Sequence, residues 1–230
     1  MKVKLISTTQ NLLDILYTGA RTCYNAGSPI DMFDEVGDIS RDKKLKLING
    51  CIKSSHLSVL EHSQFTFAIE GVSRALTHQL VRHRHCSFSQ QSQRYVNLEG
   101  TFDYVTPKAL QDEGDLQGYF AECMQQAYES YTELINKGVK PEDARAVLPN
   151  ACCTNMVITL NLRSLIHLCN ERLCTRAQLE IRQLVQLMVK EVLKENEWLK
   201  PYLVPKCILL KGCNEHKSCG YYEALSQRNK

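Results

Sequence analysis

Three arginines and two histidines, edged by short hydroxyl and amide side chains, are packed into Arg82-His83-Arg84-His85-Cys86-Ser87-Phe88-Ser89-Gln90-Gln91-Ser92-Gln93-Arg94-Tyr95. No Asp or Glu occurs over 71–98, so no neighbour in sequence neutralises that charge. An ordinary solvated face mixes signs. A single-sign cluster edged by hydrogen-bonding groups suits an anion such as a phosphate. Cys86 lies inside the run, where the adjacent Arg and His are expected to lower a thiol's pKa. Ser87, Ser89 and Ser92 are alternative nucleophiles, but none has the glycine-flanked elbow of a hydrolase serine. They read better as hydroxyls that donate to phosphate.

Other candidates lie far away in sequence. Arg172 follows Leu165 by seven residues and Leu168 by four, which puts it on the same helix face as these leucines and Cys169. An arginine there is costly unless it meets an anion or a set of acceptors. A buried Arg–Glu pair, or a snorkelling stem, is the plainer alternative. Arg145, ahead of Val147-Leu148-Pro149, reads by itself as a solvated or salt-bridged arginine. His56, Glu61 and His62 lie close enough for an acid–base pair or a metal site, yet lack the H-E-x-x-H pattern; ordinary strand-edge polar groups are the commoner outcome.

Alternation predicts strands over 2–6, over 65–69 and over 157–162. Helical periods predict helices over 11–16, 45–52, 73–81, 115–137, from near Arg163, and over 177–198. Thr8 or Thr9 is a candidate cap for the first helix, and Ser73 for the one that runs into the basic cluster and carries Gln79 and Arg82 on one side. Gly138 marks a helix stop, Pro141 opens a short helix holding Arg145, and 26–41 reads as a loop. Helices with a few well-separated strands favour an α+β class, mixed helices around a small central antiparallel-rich sheet in a single domain; no G-x-G-x-x-G follows a strand.

The chain's 230 residues, 43% hydrophobic and 23% charged, are ordinary for a globular protein, and a net charge of +3 does not by itself imply a nucleic-acid binder. No apolar run approaches the ~20 residues of a membrane span, and the N-terminus lacks a signal-peptide core, so a cytoplasmic protein without a membrane partner is expected. The 11 cysteines are odd in number and unevenly spaced, as in a reducing compartment. Cys207, Cys213, His216 and Cys219 in the 206–230 tail raise a zinc question, but the paired C-x2-C spacing is missing, so the tail reads as loose and thiol-rich with no metal.

Arg82-His83-Arg84, seven residues, then Ser92-Gln93-Arg94-Tyr95 resembles the RHR-x7-S signature of the flavin-dependent thymidylate synthases. The tracts His56–His62 before Phe65-Thr66-Phe67, Gln79, Ala144–Pro149, Asn161–Leu165 with His167 and Arg172, and Arg176–Arg182 are similar to that family's blocks as well. The resemblance implies one catalytic domain over 1–230, assembled as a homotetramer with shared sites. It implies reductive methylation of dUMP to dTMP with 5,10-methylenetetrahydrofolate as one-carbon donor and NADPH-reduced FAD as hydride donor. It assigns dUMP to Gln79, Arg82, Gln90, Gln91, Ser92, Gln93, Arg94, Arg145 and Arg172, and the cofactors to His56, Arg82, His83, Arg84, His85, Asn161, Arg163 and His167. Arg172, Ser92 and His56 are its catalytic candidates, and Cys86 a bystander. Ser89 and Gln90 depart from the Asn and Glu that many relatives carry. Two other readings are an RNA-binding module using Arg82–Arg94, which lacks an RNP-type aromatic motif, and a thiol-rich zinc protein centred on the tail.

Overall fold

The computed structural model of the chain describes residues 1–96, 102–111 and 113–228. In chain order, β1 (Lys2–Thr8) leads to α1 (Leu12–Thr22), α2 (Pro29–Asp34) and α3 (Arg41–Lys53). A 3-10 segment over Leu57–His62 enters β2 (Gln64–Ser73), followed by α4 (Arg74–Leu80) and β3 (Cys86–Gln90). Then come α5 (Lys108–Gln111), α6 (Gly114–Asn136), α7 (Pro141–Ala144), β4 (Cys153–Asn161), α8 (Leu162–Arg172), α9 (Leu179–Leu193), α10 (Lys206–Leu209) and α11 (Tyr221–Arg228). The strands form one sheet in the order β1-β2-β4-β3 with every neighbour antiparallel. The expected α+β class is what the chain adopts.

Strand alternation decides which side of the sheet carries helices. Phe65, Phe67 and Ile69 of β2 and Met156, Ile158 and Leu160 of β4 point to one buried face. Against them pack Leu16 of α1, Leu76 and Leu80 of α4, Leu165 and Leu168 of α8 and Leu184 and Met188 of α9. Each such fully buried Leu or Phe stabilises the fold by roughly 1.5–3 kcal/mol relative to exposure. The opposite face is open: Val157 is 37% exposed there, and Thr66 and Thr159 share a 3.0 Å hydrogen bond across β2 and β4.

Several local expectations need correction. The α1 helix is entered through Asn11 in the left-handed region, at φ 51, with no side-chain cap. Thr9 instead accepts from Gln64 N through Oγ1 at 2.8 Å, tying the end of β1 to β2. The segment read as a loop over 26–41 contains α2, capped by Ser28 with Pro29 at its first position, and a 3-10 turn over Val36–Asp38. The strand predicted to reach Leu162 stops at Asn161, because the Asn161 side chain accepts from Ser164 N and starts α8. The final long helix stops at Leu193, well before Trp198. Strand β3 went unseen because its short run of serines and Gln lacks an apolar period. The expected Gly138 stop is present, at φ +83.

Candidate active site

Serine 73 caps α4, its Oγ accepting from Leu76 N at 3.0 Å. Its backbone N and its hydroxyl both donate to Glu180, at 2.8 and 2.6 Å. One carboxylate at the start of α9 therefore fixes the entry of α4. Gln79 in the last turn of α4 is held by the Gln178 side chain. The helix ends at Leu80, so the helical spacing expected to carry Gln79 and Arg82 together does not reach Arg82. Arg82 is exposed, and its guanidinium has no partner among the described residues. His85, at φ 61, turns the chain from α4 into β3.

The basic run meets α8 at a single point. Arg172, at the end of α8, donates from Nε to His83 Nε2 at 2.9 Å and from Nη2 to the Gln79 carbonyl at 3.4 Å. Among the described residues the Arg–Glu pair weighed as a plainer alternative does not form; Arg172 meets a set of acceptors instead, a neutral imidazole and a backbone oxygen. His83 is only 8% exposed. Burial, then the charges of Arg172 and His167, push its pKa down to about 4. An accepting Nε2 places the remaining proton on Nδ1. His167 meets the His83 ring edge-on, with centroids 5.7 Å apart.

Beside this pair a cleft of about 450 Å³ is lined by Arg84, His85, Asn161, Arg163 and His167, with Leu57 and Ile166 as apolar wall. Guanidinium, imidazole and amide groups next to an apolar wall suit an anionic ligand with a flat aromatic part. Arg163 is paired there with Glu61 at 2.5 Å. That pair takes Glu61 out of the acid–base or metal trio considered for His56, Glu61 and His62. His56 lies at a second cleft with Tyr17, Arg21, Lys43 and Lys46, and its Nδ1 is 3.1 Å from the Tyr24 hydroxyl.

Arg94 and Arg145 form a separate group around Glu142. Arg94 reaches Glu142 Oε2 at 2.8 Å from Nη2 and 3.1 Å from Nε, and Arg145 Nε donates to the Glu142 carbonyl at 3.0 Å. The Arg94 hydrogen bond holds the Glu142 carboxyl below its ordinary range. Ser92 Oγ accepts from Arg94 N at 3.1 Å. Among the described residues, no hydrogen bond or ion pair joins this group to the Arg172 group. The acid-free stretch seen in sequence is thus not acid-free in space: Glu142 and Glu61 arrive from distant segments.

Register sorts the β3 side chains. Cys86, Phe88 and Gln90 oppose Leu160, Ile158 and Met156 on the covered face, whereas Ser87 and Ser89 oppose Thr159 and Val157 on the open one. Gln90 Nε2 accordingly lies 3.2 Å from Thr77 Oγ1 and 3.4 Å from Thr154 Oγ1. Its side chain braces α4 and β4. Gln91 is hydrogen-bonded to Asn155 at 3.2 Å, and Gln93 is half-buried. The expectation for Cys86 is reversed: burial pushes its thiol up to about 11. Among the residues that shape the site, Gln178, Glu180 and Glu142 escaped the sequence reading. Glu180 and Gln178 lie in the Arg176–Arg182 tract, the only signal that pointed toward them.

A one-sided antiparallel sheet with a cleft at the β3, β4 and α8 ends, lined by guanidinium and imidazole groups and by Glu61, defines an α+β protein whose cleft chemistry suits an anionic ligand. Comparison with known proteins narrows the class. Residues 4–196 match the family model described as thymidylate synthase complementing protein. A flavin-dependent thymidylate synthase of Nitratidesulfovibrio vulgaris is 43% identical, the alignment covering 96% of this chain and 95% of that protein. Proteins of the same name from Clostridium tetani and Pyrococcus furiosus are 39% and 38% identical, covering 96% and 94% of this chain and 93% and 90% of theirs. The chain belongs to the thymidylate synthase complementing protein family.

Proposed function

We propose that this chain is a flavin-dependent thymidylate synthase that methylates dUMP reductively to dTMP. Its one-carbon donor is 5,10-methylenetetrahydrofolate, and its whole length serves as one catalytic domain. The observation that carries the reading is the Arg172–His83 bond, which anchors the basic run to α8 beside the cleft. With Nε and Nη2 committed, Nη1 is the guanidinium nitrogen without a partner among the described residues. It is the donor for a pyrimidine carbonyl oxygen, where it stabilises negative charge that develops as the ring is activated. His83, kept neutral, holds the Arg172 fork in place without adding a competing charge.

The cleft fits FAD by the chemistry of its donors. Arg84 and Arg163 suit its pyrophosphate, while Asn161, His85 and His167 offer polar groups to the isoalloxazine edge and Leu57 and Ile166 an apolar contact. When bound and reduced by NADPH, the flavin supplies the hydride that completes the methyl group. Arg82 is free to serve either ligand. Ser92, Arg94 and Arg145 are the phosphate donors for dUMP, with Gln79 positioned by Gln178; Glu142 must release Arg94 when the phosphate arrives. Gln90 acts as a brace, and the backbone around Gln91 and Gln93 borders the nucleotide. His56, across the second cleft, is assigned to the folate side.

We propose a homotetramer in the cytoplasm. Its support is that the Arg94–Arg145 group stands apart from the Arg172 group within one chain, and that the open sheet face leaves Val157 uncovered. Copies meeting through such surfaces complete the site. Among the described residues no helix is long and apolar enough to cross a membrane. The family match runs through the basic Arg82–Arg94 run, which favours the enzyme over an RNA-binding module. The test is tritium release from 5-tritiated dUMP with FAD, NADPH and methylenetetrahydrofolate. Release that requires both flavin and reductant is expected; release without flavin, or none with every component present, overturns the reading.

A further inference from the structure

The segment after Leu203 is not the loose tail its composition suggests. It folds into α10 and α11 and lies over the end of α8, beyond the stretch that the family model matches. Yet no residue of 206–227 is buried, and none joins either hydrophobic cluster. Among its side-chain ties to the body are a half-exposed Arg176–Glu215 pair at 3.5 Å, a kind of contact worth at most about 1 kcal/mol, and a hydrogen bond between Thr175 and Cys219. A folded segment with no core of its own needs some other staple.

Four thiols stand where that staple belongs. Cys174, just past α8, lines one cavity of about 200 Å³ together with Cys207, Cys213 and Cys219 of the tail. The backbone is shaped to bring the tail thiols back. The α10 helix closes with Gly212 N donating to the Cys207 carbonyl at 3.0 Å and Lys211 N to the Ile208 carbonyl at 3.3 Å. Lys211 takes the left-handed conformation, at φ 53, where glycine is the usual occupant. This turn returns Cys213 toward Cys207. Gly220, at φ +77, turns the chain again directly after Cys219. The cavity wall also carries the cations Arg172, Arg176 and Lys206, which outnumber the acids Glu171 and Glu215.

We infer that Cys174, Cys207, Cys213 and Cys219 form a structural tetrathiolate site for a thiophilic divalent ion, zinc foremost, that clamps the tail onto the end of α8. Four sulfurs match the tetrahedral preference of Zn2+, with bonds of about 2.3 Å. Each thiol gives its proton to solvent as the ion binds, which leaves a doubly negative cluster that the surrounding cations offset. The thiols already influence one another: Cys207 is raised first by burial and then by Cys174, Cys213 and Cys219. Cys219 is lowered, chiefly by the Thr175 hydroxyl. Among the described residues, no three His, Cys, Asp or Glu side chains are gathered closely enough to hold a metal ion. The four thiols must therefore draw together as the ion binds, in a segment with no packed core to resist it. His216, the fourth ligand considered from sequence, is absent from the cavity wall, and Cys174 stands in its place. The site is independent of the catalytic reading, although Arg172 lies two residues from Cys174 on the same wall.

The test uses the full chain, purified under reducing, anaerobic conditions. One zinc per chain is expected by elemental mass spectrometry. Cobalt substitution in flavin-free protein should give the thiolate-to-cobalt charge transfer and visible bands of a tetrahedral site. Zinc should protect these four cysteines from iodoacetamide, with protection lost on chelation. Cys174→Ser and Cys213→Ser should each weaken binding by at least about tenfold, while Cys23→Ser, at an exposed thiol of α1's end, should leave it unchanged. The inference fails if the wild-type chain binds neither metal, if Cys174→Ser binds as well as wild type, or if intact mass shows these thiols joined as disulfides with two hydrogens lost per bond. Should the variants fail to fold, the cobalt spectrum and the protection pattern of the wild-type chain decide alone.

Discussion

The Nε of Arg172 donates to Nε2 of His83 across 2.9 Å, so a permanent cation is hydrogen-bonded to an imidazole that must stay uncharged. Burial, with Arg172 and His167 behind it, sets the His83 pKa at about 4 against an ordinary 6.5. Below pH 6.5 the unfolded chain takes up this proton and the folded chain does not, until the pH approaches 4. Stability contributed by this residue is therefore complete above pH 6.5 and is lost as pH falls from there to about 4. The effect is at most about 3 kcal/mol. Urea unfolding at pH 7 and pH 4.5, at one protein concentration, should show it, and His83→Asn should flatten that part of the pH dependence. A His83→Asn curve parallel to wild type would contradict the assignment.

Arg172→Lys keeps the charge but not the planar fork. A lysine cannot hold His83, the Gln79 carbonyl and a pyrimidine oxygen at once. Tritium release should fall by about 100-fold or more in kcat, with folding intact. Arg172→Ala should also raise the His83 pKa, observed by NMR titration, but not to 6.5, because burial is the larger cause. Full recovery to the ordinary value would mean that charge, not burial, sets it.

Elements with a strong period were legible in the sequence: β2 with Phe65, Phe67 and Ile69, α6, and the α8 face that carries Arg172. Ser73 could be read as a cap because its chemistry is local. What remained hidden was set by pairing between distant segments. Strand β3 exists because β4 offers it an edge, and it alone decides that Gln90 turns inward to Thr77 and Thr154. The acids that meet the basic groups, Glu142 and Glu61, lie 48 and 102 residues from Arg94 and Arg163. Cys86 misled because charge along the chain was visible and burial was not.

Cys86 yields a clean prediction. With a thiol pKa of about 11, only ~0.03% is thiolate at pH 7.5, too little for an efficient nucleophile. Cys86→Ala should keep tritium release within about twofold of wild type, since the lost volume is small and half-buried. A loss of more than tenfold, in a variant that still binds flavin and unfolds at the normal urea concentration, would revive a thiolate mechanism.

Glu180 should matter for stability more than its place on a half-exposed helix start suggests. It accepts from both Ser73 N and Ser73 Oγ, and Ser73 is 2% exposed. Glu180→Ala strands two buried donors, each costing roughly 1–3 kcal/mol, so a loss of about 2–4 kcal/mol is expected in urea unfolding. Glu180→Gln keeps one acceptor oxygen and should lose less. Ser73→Ala removes the cap and one donor, at about 1–2 kcal/mol. The double variant Ser73→Ala/Glu180→Ala should fall short of the sum, because both changes break the same bond. Strict additivity would show that Glu180 acts elsewhere. The same bonds aim α4, whose last turn presents Gln79 and whose end leads to His83. Glu180→Gln should therefore raise KM for dUMP more than it lowers kcat, the mark of a residue that positions the site without touching the reacting atoms.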